Sequence, residues 1–415
     1  MKVVHFSTSD SFGGSAQSAN RIHQGLMREG LQSKMIVRDK YSDSPHIHPI
    51  APNKYIRALD RLFDRFSGEI GLQYLYVPSN ILLRNRKAIK QADIIQLFNI
   101  HGGYFATNTL LSLSKVAPIV WRLSDLWPIT GHCAYPMDCD KYNSGCNTCP
   151  SLSSYPPISR DHTNLLWLHK QSIYKKIDLT IVAPSKWAYN ISSHSSLFKS
   201  FRHEFIPNGI DQSIFYPLDK HEARLKLRIH DSRPAILFIA HVAFDNPRKG
   251  TDILLAALHL LAQEYDYVLI VVGEKSYEWK NHLSVPVYYF EFTHDPKLLA
   301  LIYNASDIVC VPSSTDNLPN TVLEAMACAK PIIASNAGGI MDAVTDYYNG
   351  LIFQPSSPLD LARKISFLLN NLHLVRQFGD NSLLTVSKHF SIEKELNAFI
   401  NLYYQLQQRW TSQRS

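Results

Sequence analysis

Short apolar runs alternate with segments of helical periodicity along most of the chain. The apolar runs of the first half are KVVHFS, SKMIVRD, ADIIQLFNI, PIVWRLS, LTIVAPS and HEFIPN, and those of the second half are AILFIAHV, YVLIVVG, VYYFEF, DIVCVPS, PIIAS and GLIFQP. Helical patterns lie between most of them, over residues 16–29, 164–176, 251–264, 296–305, 320–329 and 358–370. Strands that alternate with helices in this way predict parallel sheets, and the repetition predicts an α/β protein with two doubly wound domains.

The length of the chain, 415 residues, also favours two domains, because one ordinary hydrophobic core does not grow to this size. The segment IPNGIDQSIFYP, residues 206–217, carries a Pro-Asn-Gly turn and a later Pro that suit a link. We predict an N-terminal Rossmann-like domain over residues 1–206 and a C-terminal one over residues 207–390. A final helix, about 391–415, can pack back on the first domain.

The composition is that of an ordinary soluble protein, with 45% hydrophobic and 19% charged residues. No run of about 18 apolar residues occurs, and Met1 leads directly into an apparent strand, so we expect a cytoplasmic protein. The net charge of +7 is uneven, since residues 1–200 hold 23 Lys/Arg against 13 Asp/Glu and residues 201–415 hold 19 against 22. This asymmetry suits docking on an anionic membrane or substrate, and a merely solvated basic face fits it equally well.

The segment YIRALDRLFDRFSG, residues 55–68, is amphipathic. Its apolar positions at helical spacing are Ile56, Leu59, Leu62, Phe63 and Phe66, and its basic positions on another face are Arg57, Arg61 and Arg65. Such a helix can lie in a bilayer interface, and a surface helix that packs on its own domain has the same pattern.

The segment DNLPNTVLEAMACAKP, residues 316–331, is a polar turn followed by a helix of small residues. Pro319 favours a helix start and Asn320 or Thr321 can cap it, so a helix is expected from about residue 320, with an N-terminus that attracts anions. Glu324 would point back toward that end and could accept hydrogen bonds from sugar or ribose hydroxyls. The combination suggests a nucleotide sugar, and the alternative is a capped helix with an exposed Glu.

Two further loops can bind phosphate, because ligands of open parallel sheets lie at the carboxyl ends of the strands. Gly13 and Gly14 follow the first strand and precede a helix, where backbone can approach a phosphate closely. Arg248 and Lys249 begin the helix after the first strand of the second half and could neutralise a diphosphate. The alternatives are a loop without ligand contact and a solvated basic pair.

His101, in LFNIHGGYF, ends another strand and could exchange a proton with a substrate hydroxyl near neutral pH, or be a structural histidine. Asp125, in RLSDLWPITGH, could orient an acceptor hydroxyl or cap a turn.

Four of the six cysteines fall within one loop, with spacing C-x5-C-x6-C-x2-C. They are Cys133, Cys139, Cys146 and Cys149. In a cytosolic protein disulfides are disfavoured, and four thiols can hold a structural Zn²⁺ that staples the loop. Thiols that are merely packed together are the alternative, and catalytic zinc is disfavoured because four Cys ligands leave no open position.

These motifs resemble those of glycosyltransferase family four, the retaining GT-B enzymes, over most of the chain. SSTDNLPNTVLEAMACAKPIIAS resembles the family's E-x7-E donor motif, and FGG, IHGG, PNGID…FYP and PRKG appear in the expected order. The Cys-rich loop after a D-x-W element resembles a bacterial surface-polysaccharide subgroup. The resemblance implies a GT-B fold, with two Rossmann-like domains that face each other across a cleft, the first for the acceptor and the second for the nucleotide sugar.

The resemblance also implies residue roles. Lys249, helped by Arg248, would hold the donor diphosphate, and Glu324 would bind the nucleotide ribose. The transferred sugar and the phosphates would face Asp316 and the backbone of Leu318, Pro319, Asn320 and Thr321. Gly13 and Gly14 would approach the reacting sugar or diphosphate, His101 would contact the sugar or acceptor, and Asp125 would lie on the acceptor side.

Three positions depart from the family pattern. Asp316 stands where the first Glu of the donor motif is usual, Ala243 where many members have Arg, and Ser124 where a His is common before Asp125.

The implied activity is retaining transfer of a sugar from a nucleoside-diphosphate sugar to a saccharide acceptor. The expected acceptor is a lipid-linked glycan of bacterial O-antigen, capsule or exopolysaccharide synthesis, met at the inner face of the plasma membrane. No metal cofactor would be required for catalysis, and no nucleic-acid partner is expected. The rival hypotheses are a GT-B enzyme with a soluble acceptor and a catalytically silent subunit that binds glycans or a partner transferase.

Overall fold

The computed structural model describes residues 1–262 and 264–414. Gln263, within the predicted helix 251–264, and Ser415, at the end of the predicted last helix, lie outside the described residues. The chain divides into two compact units, one formed by Met1–Ile206 together with the segment from Leu396 onward, and the other by Pro207–Glu395.

The first unit is built on a seven-stranded, all-parallel sheet in the order β3-β2-β1-β4-β5-β6-β7. Its strands are β1 (Lys2–Ser9), β2 (Gln32–Asp39), β3 (Ile47–Pro49), β4 (Ile94–Leu97), β5 (Ile119–Arg122), β6 (Leu179–Ala183) and β7 (Arg202–Phe205). Its helices are α1 (Gly14–Arg28), α2 (Lys54–Glu69), α3 (Lys87–Lys90), α4 (Leu110–Leu113), α5 (Thr163–Tyr174) and α6 (Lys186–His194).

The second unit is built on a six-stranded, all-parallel sheet in the order β10-β9-β8-β11-β12-β13. Its strands are β8 (Ala235–Val242), β9 (Val268–Glu274), β10 (Val287–Phe290), β11 (Ile308–Val311), β12 (Ile332–Ser335) and β13 (Gly350–Phe353). Its helices are α7 (Lys220–Lys226), α8 (Thr251–Leu261), α9 (Pro296–Ala305), α10 (Asn320–Ala327), α11 (Pro358–Asn370) and α12 (Leu372–His389), and the last helix, α13, is Ile392–Ser412.

The prediction of two doubly wound, parallel-sheet domains is confirmed. Each apolar run of the sequence forms a strand, and the central strands β4, β5, β6, β11 and β12 are buried along their whole length. In each sheet the strand order reverses at one point, between β1 and β4 and between β8 and β11. Ligands of open α/β sheets bind at such a reversal, at the carboxyl ends of the strands.

The C-terminal helix α13 packs on the first unit from Leu396 onward. The Leu396 side chain lies against Gly25 of α1, where an added Cβ would be 2.4 Å from Leu396 Cδ1. The Tyr403 hydroxyl donates to Gln96 Oε1 of β4 over 2.9 Å, in a buried position. Among the described residues, no helix has the length and apolar character that crossing a membrane requires.

A buried polar cluster joins β1, α1 and β2. Ser33 Oγ lies 3.0 Å from His5 Nε2 and 2.7 Å from His23 Nδ1, and all three side chains are buried. Burial, assisted by the charge of His46, lowers the pKa of His23 to about 4. Burial and the neighbouring His23 also lower the pKa of His5 well below its usual value.

The first unit should therefore lose stability as the pH falls from about 6.5 to about 4, because the unfolded histidines take up protons in that window and the folded ones do not. The contribution of His23 amounts to about 3 kcal/mol of unfolding free energy across the window. Thermal melts at several pH values would measure it. His23→Gln should flatten the fall in Tm between pH 6.5 and 4, and the exposed-site control His194→Gln should not. Equal pH slopes for all three proteins would contradict this assignment.

Candidate active site

The basic pair Arg248 and Lys249 follows β8, where Pro247–Lys249 form a 3₁₀ turn just before α8. The next residue, Gly250, has φ 70°, and a Cβ there would lie 2.1 Å from the carbonyl oxygen of Pro312. Only glycine combines this left-handed conformation with so close an approach to the chain that leaves β11. Gly250 thereby holds the basic turn against the loop that carries Asp316.

Asp316 lies between the two cations. Lys249 Nζ donates to Asp316 Oδ2 over 2.6 Å, and Arg248 Nη1 lies 3.1 Å from the same oxygen. Burial alone would raise the pKa of the Asp316 carboxyl, but the two cations hold it far below its usual range. Burial and the charge of Arg248 lower the pKa of Lys249, although Asp316 opposes the shift. The cluster carries two positive charges and one negative charge, so a net positive charge remains beside the start of α10.

The backbone of Asp316 is fixed from the other side by the turn after β12. Gly338 has φ 59°, and a Cβ there would lie 1.8 Å from the Asp316 carbonyl oxygen. That oxygen accepts a hydrogen bond from Gly339 N over 3.0 Å. Gly338 was not singled out from the sequence, because its role depends on a contact with residues more than twenty positions away.

Helix α10 begins at Asn320, as predicted, but its capping differs from the prediction. Pro319 occupies the N-cap with extended backbone and makes no side-chain cap hydrogen bond, so the expectation of a cap from Asn320 or Thr321 is wrong. Pro319 has no side-chain donor or acceptor to offer. The preceding residue is held by Asn208, whose Nδ2 donates to the Leu318 carbonyl oxygen over 2.8 Å. The turn Leu318 to Thr321 therefore presents backbone groups at the start of the helix.

Glu324 is buried, with 5% of its surface exposed, so the alternative of an exposed glutamate is wrong. Its Oε2 accepts a hydrogen bond from the Tyr303 hydroxyl of α9 over 2.9 Å. Burial and the Glu324 charge raise the pKa of Tyr303 well above its usual value, which keeps the phenol protonated as a donor. A buried carboxylate is costly unless it is hydrogen-bonded, and it can accept about four hydrogen bonds. Tyr303 gave no sequence signal.

In the first unit, the three predicted loops follow the neighbouring strands β1, β4 and β5. Gly13 is the N-cap of α1, with φ 87° and no atom within 4 Å of an added Cβ, so its conformation and not crowding favours glycine. Gly14 is the exposed first residue of that helix. Ser15 Oγ lies 2.7 Å from Ser124 Oγ, which brings the start of α1 beside the loop after β5.

His101 and Asp125 form one buried pair. His101 Nε2 lies 2.8 Å from Asp125 Oδ2, and Asp125 Oδ1 accepts from Trp127 N over 3.0 Å. Asp125 thus caps a turn, one of the two predicted alternatives, and also orients His101. A carboxylate can only accept, so Nε2 carries the proton, and Nδ1 has no hydrogen-bond partner among the described residues. In the neutral imidazole Nδ1 can accept a proton from a substrate hydroxyl, and in the imidazolium form it can donate one.

The turn after Asp125 is stabilised by Lys170, a residue that was not singled out from the sequence. Its Nζ donates to the carbonyl oxygens of Trp127 over 2.6 Å and of Thr130 over 3.0 Å, and it lies 3.5 Å from the centre of the Trp127 ring. Burial lowers its pKa to about 7, although nearby Cys146, Cys133 and Asp125 oppose the shift. The turn that carries Asp125 is therefore held by the buried amino group of Lys170.

The cysteine loop does not form the predicted zinc site. Within residues 1–262 and 264–414, no group of three or more His, Cys, Asp or Glu side chains could hold a metal ion. The sulfur of Cys146 accepts from Gly131 N over 3.1 Å, and that of Cys149 lies 3.3 Å from His132 Nε2. Burial raises the pKa of Cys133 to about 12 and of Cys146 to about 11, which favours neutral thiols. Cys139 is also a free thiol, so structural zinc at these four residues is not supported.

The structure thus gathers the predicted site residues into one group in each unit. In the first unit the group is Gly13, Gly14, His101 and Asp125, and in the second unit it is Arg248, Lys249, Asp316, Leu318, Pro319, Asn320, Thr321 and Glu324. Both groups lie at the carboxyl ends of strands beside the reversal of strand order.

Residues 219–384 match the family model described as glycosyl transferases group 1. Over 360 residues the chain is 23% identical to the putative colanic acid biosynthesis glycosyl transferase WcaC of Escherichia coli K12, a match that covers 81% of this chain and 84% of that protein. The D-inositol 3-phosphate glycosyltransferase of Segniliparus rotundus is 29% identical over 187 residues, 42% of this chain and 41% of that protein. The chain therefore spans less than half of this second relative.

Two solved structures share the fold over nearly the whole chain. Sucrose-phosphate synthase from Thermosynechococcus elongatus is 19% identical, with a TM-score of 0.69 over 98% of this chain and 99% of that one. Anabaena Alr3699/HepE, solved with UDP and glucose, is 17% identical, with a TM-score of 0.69 over 98% of this chain and 100% of that one. The structural neighbours are GT-B glycosyltransferases, so the expected GT-B fold is confirmed.

Proposed function

We propose that this chain, which has the GT-B fold and whose residues 219–384 match the group 1 glycosyl transferase model, is a glycosyltransferase that moves a sugar from a nucleoside-diphosphate sugar to a saccharide acceptor with retention of configuration. The observation that carries the donor assignment is the Arg248–Lys249–Asp316 cluster beside the start of α10, four residues before the buried Glu324. The cations and the helix start could bind a diphosphate, and Glu324 could accept hydrogen bonds from the attached ribose.

The diphosphate is the leaving group of the proposed reaction. The bond from the anomeric carbon to the phosphate oxygen breaks, the bond from that carbon to the acceptor oxygen forms on the same face, and the departing phosphate takes the acceptor proton. Negative charge grows on the phosphate as the bond breaks. Lys249, Arg248 and the N-terminal N–H groups of α10 would stabilise that charge, so catalysis is mainly electrostatic.

Asp316 and the pair His101–Asp125 would act on the sugars. Asp316 is held rigidly by Gly338 and by two cations, so its carboxylate is preorganised to accept a hydrogen bond from a hydroxyl of the transferred sugar. His101 is oriented by Asp125, and we propose that its Nδ1 contacts the reacting sugar or the acceptor.

Glu324→Gln tests the ribose assignment. The change removes the charge but keeps the shape and an acceptor for Tyr303, so the fold should persist. The ribose hydroxyls would lose their charged acceptor, and a hydrogen bond to a charged group contributes roughly 1.5 kcal/mol to binding. The donor KM should therefore rise about tenfold while kcat changes little. Steady-state kinetics with varied donor would measure both constants.

Tyr303→Phe is the matched control, because it removes only the hydroxyl that holds Glu324. We expect a smaller rise in KM, since the carboxylate keeps its charge. An unchanged donor KM in Glu324→Gln would contradict the ribose assignment and leave Glu324 as a structural partner of Tyr303.

We further propose that the acceptor is a lipid-linked glycan in the synthesis of a bacterial surface polysaccharide such as O-antigen, capsule or exopolysaccharide. The basic first half of the chain and the name of the WcaC relative support this proposal. The enzyme would then work in the cytoplasm at the inner face of the plasma membrane.

Transfer of radiolabelled sugar tests the proposed function. The purified protein would be incubated with UDP-, GDP-, ADP- and dTDP-sugars and with either a bacterial lipid extract or soluble saccharides. UDP-glucose comes first, because the HepE structure contains UDP and glucose. Label that enters the lipid fraction supports the proposal. Label that enters only soluble saccharides would favour the soluble-acceptor enzyme, and nucleotide binding with no transfer to any acceptor would favour the silent subunit.

A further inference from the structure

Helix α2 presents its apolar stripe to solvent. The exposed fractions are 75% for Tyr55, 63% for Leu62 and 58% for Phe66, and Leu59 and Phe63 on the same stripe are also exposed. A surface helix that packs on its own domain normally buries this stripe. In α2 the only buried residue is a carboxylate, so the usual orientation is inverted.

The inverted orientation is anchored by specific contacts. The buried Asp60 accepts from Ser79 N over 2.9 Å, at the start of a 3₁₀ turn over Pro78–Asn85 that packs against α2. The Asn53 side chain caps the start of the helix by accepting hydrogen bonds from the N–H groups of Tyr55 and Ile56. The helix is therefore fixed by its polar face, and its apolar face is left outward.

Neighbouring apolar side chains extend the stripe into one surface. The rings of Phe63 and Tyr76 lie 5.4 Å apart, and the 3₁₀ turn adds Ile81 and Leu82, which are 60% and 41% exposed. The α2 surface consists of Tyr55, Leu59, Leu62, Phe63, Phe66, Tyr76, Ile81 and Leu82. An apolar surface of this extent usually marks an interaction site.

The charge around the α2 surface is positive. Residues 54–90 contain eight Lys/Arg and three Asp/Glu. Two of the three carboxylates face inward, since Asp60 is buried and Asp64 is half-buried. Lys54, Arg61 and Arg65 are exposed beside the apolar stripe. Apolar side chains bordered by cations match the interface of an anionic bilayer, in which the apolar groups enter the acyl boundary and the cations meet the headgroups.

The inner face of α2 contacts the loop that carries His101. Gly103 has φ 75°, and a Cβ there would lie 2.3 Å from the Asp64 carboxyl carbon. Arg38 Nη1 donates to the Gly102 carbonyl oxygen over 2.8 Å on the same loop. A surface on which α2 rests would therefore lie within one helix diameter, about 10 Å, of the His101 loop.

We propose that the α2 surface docks on an anionic lipid bilayer and holds the His101 loop near the membrane interface, where the sugar of a lipid-linked acceptor would lie. The proposal rests on the lipid-linked acceptor proposed above. Membrane binding itself needs neither donor nor acceptor, so it can be measured separately from sugar transfer.

Vesicle sedimentation with the full-length protein tests the proposal. The protein should pellet with vesicles of phosphatidylcholine mixed with phosphatidylglycerol, pellet much less with phosphatidylcholine alone, and be released by high salt. Leu62→Ser combined with Phe66→Ser should weaken binding to the mixed vesicles about tenfold or more, because two exposed apolar anchors are lost. Arg61→Glu combined with Arg65→Glu should weaken it by a similar factor.

Matched controls separate docking from general surface properties. Leu372→Ser combined with Leu384→Ser alters two equally exposed leucines of α12, and Lys175→Glu combined with Lys199→Glu alters two exposed lysines of the first unit. Both control proteins should bind like the unaltered protein. All variants change exposed side chains, and an unchanged Tm and nucleoside-diphosphate affinity would show that each remains folded.

Three outcomes would overturn the proposal. The unaltered protein could stay in the supernatant with both kinds of vesicle. The α2 variants could bind the mixed vesicles as tightly as the controls. The apolar double variant could convert a dimer to a monomer in analytical ultracentrifugation without any change in vesicle binding, which would make the α2 surface an interface between two copies of the chain. None of these results would bear on the donor site, because the assay contains no nucleotide.

Discussion

Lys249→Ala should lower kcat for sugar transfer about 100-fold or more, the scale of losing one preorganised donor that stabilises charge in the transition state. Lys249 is the cation nearest to Asp316, at 2.6 Å, and lies beside the start of α10. The charge on the departing diphosphate develops only as the bond breaks, so the loss should appear in kcat as well as in kcat/KM. Steady-state kinetics with saturating acceptor would measure it.

The variant should remain folded, because Arg248 stays 3.1 Å from Asp316 and the buried carboxylate keeps one cationic partner. Its Tm should be close to that of the unaltered protein. Lys297→Ala, which removes an exposed lysine at the start of α9, is the matched control and should keep full activity. Near-normal kcat in Lys249→Ala would remove the diphosphate assignment.

His101→Ala should lower kcat about 100-fold, the lower end of what a positioned proton-transfer or hydrogen-bonding group contributes. His101 is buried and held by Asp125, and its Nδ1 has no partner among the described residues. Binding of the nucleoside diphosphate should be unchanged, because His101 lies in the first unit and the donor cluster in the second.

Asp125→Asn is a conservative companion to His101→Ala. The amide oxygen can still accept from Trp127 N, so the turn should persist, but the charge that orients His101 is lost. A fall in kcat in the same direction, with an unchanged Tm, would support a positioning role for Asp125.

His194→Ala, which removes an exposed histidine of α6, is the control for His101→Ala and should not change kcat. A normal kcat in His101→Ala would leave the pair as a structural element.

The sequence predicted the features that depend on local patterns. The runs of buried strands gave both sheets, and the helix bounds 296–305 and 358–370 match α9 and α11. Strand β3 was missed because it has only three residues, one of them proline, and the helices α3, α4, α6, α7 and α12 were not among the predicted segments. Glu324 could be placed near the start of α10 because helical geometry fixes that relation over four residues.

Other features depend on contacts between distant residues, which periodicity does not encode. The pairing of His101 with Asp125 arises because β4 and β5 are neighbours in the sheet. The partner of Glu324, Tyr303, is contributed by another helix. The zinc prediction failed for the same reason, since spacing places thiols in one loop but does not make them converge. The amphipathic pattern of α2 could not reveal which face is buried, and the buried Asp60 decides it.

Calorimetric titration of UDP, GDP, ADP, dTDP and CMP into the unaltered protein, Lys249→Ala and His101→Ala would show whether the second unit binds the diphosphate of the donor through Lys249. One nucleoside diphosphate should bind the unaltered protein and His101→Ala with similar affinity, and Lys249→Ala at least about tenfold more weakly, the scale of one lost charge-assisted hydrogen bond. Failure of every nucleotide to bind, or equal affinity in Lys249→Ala, would contradict the assignment of Lys249 to the donor diphosphate.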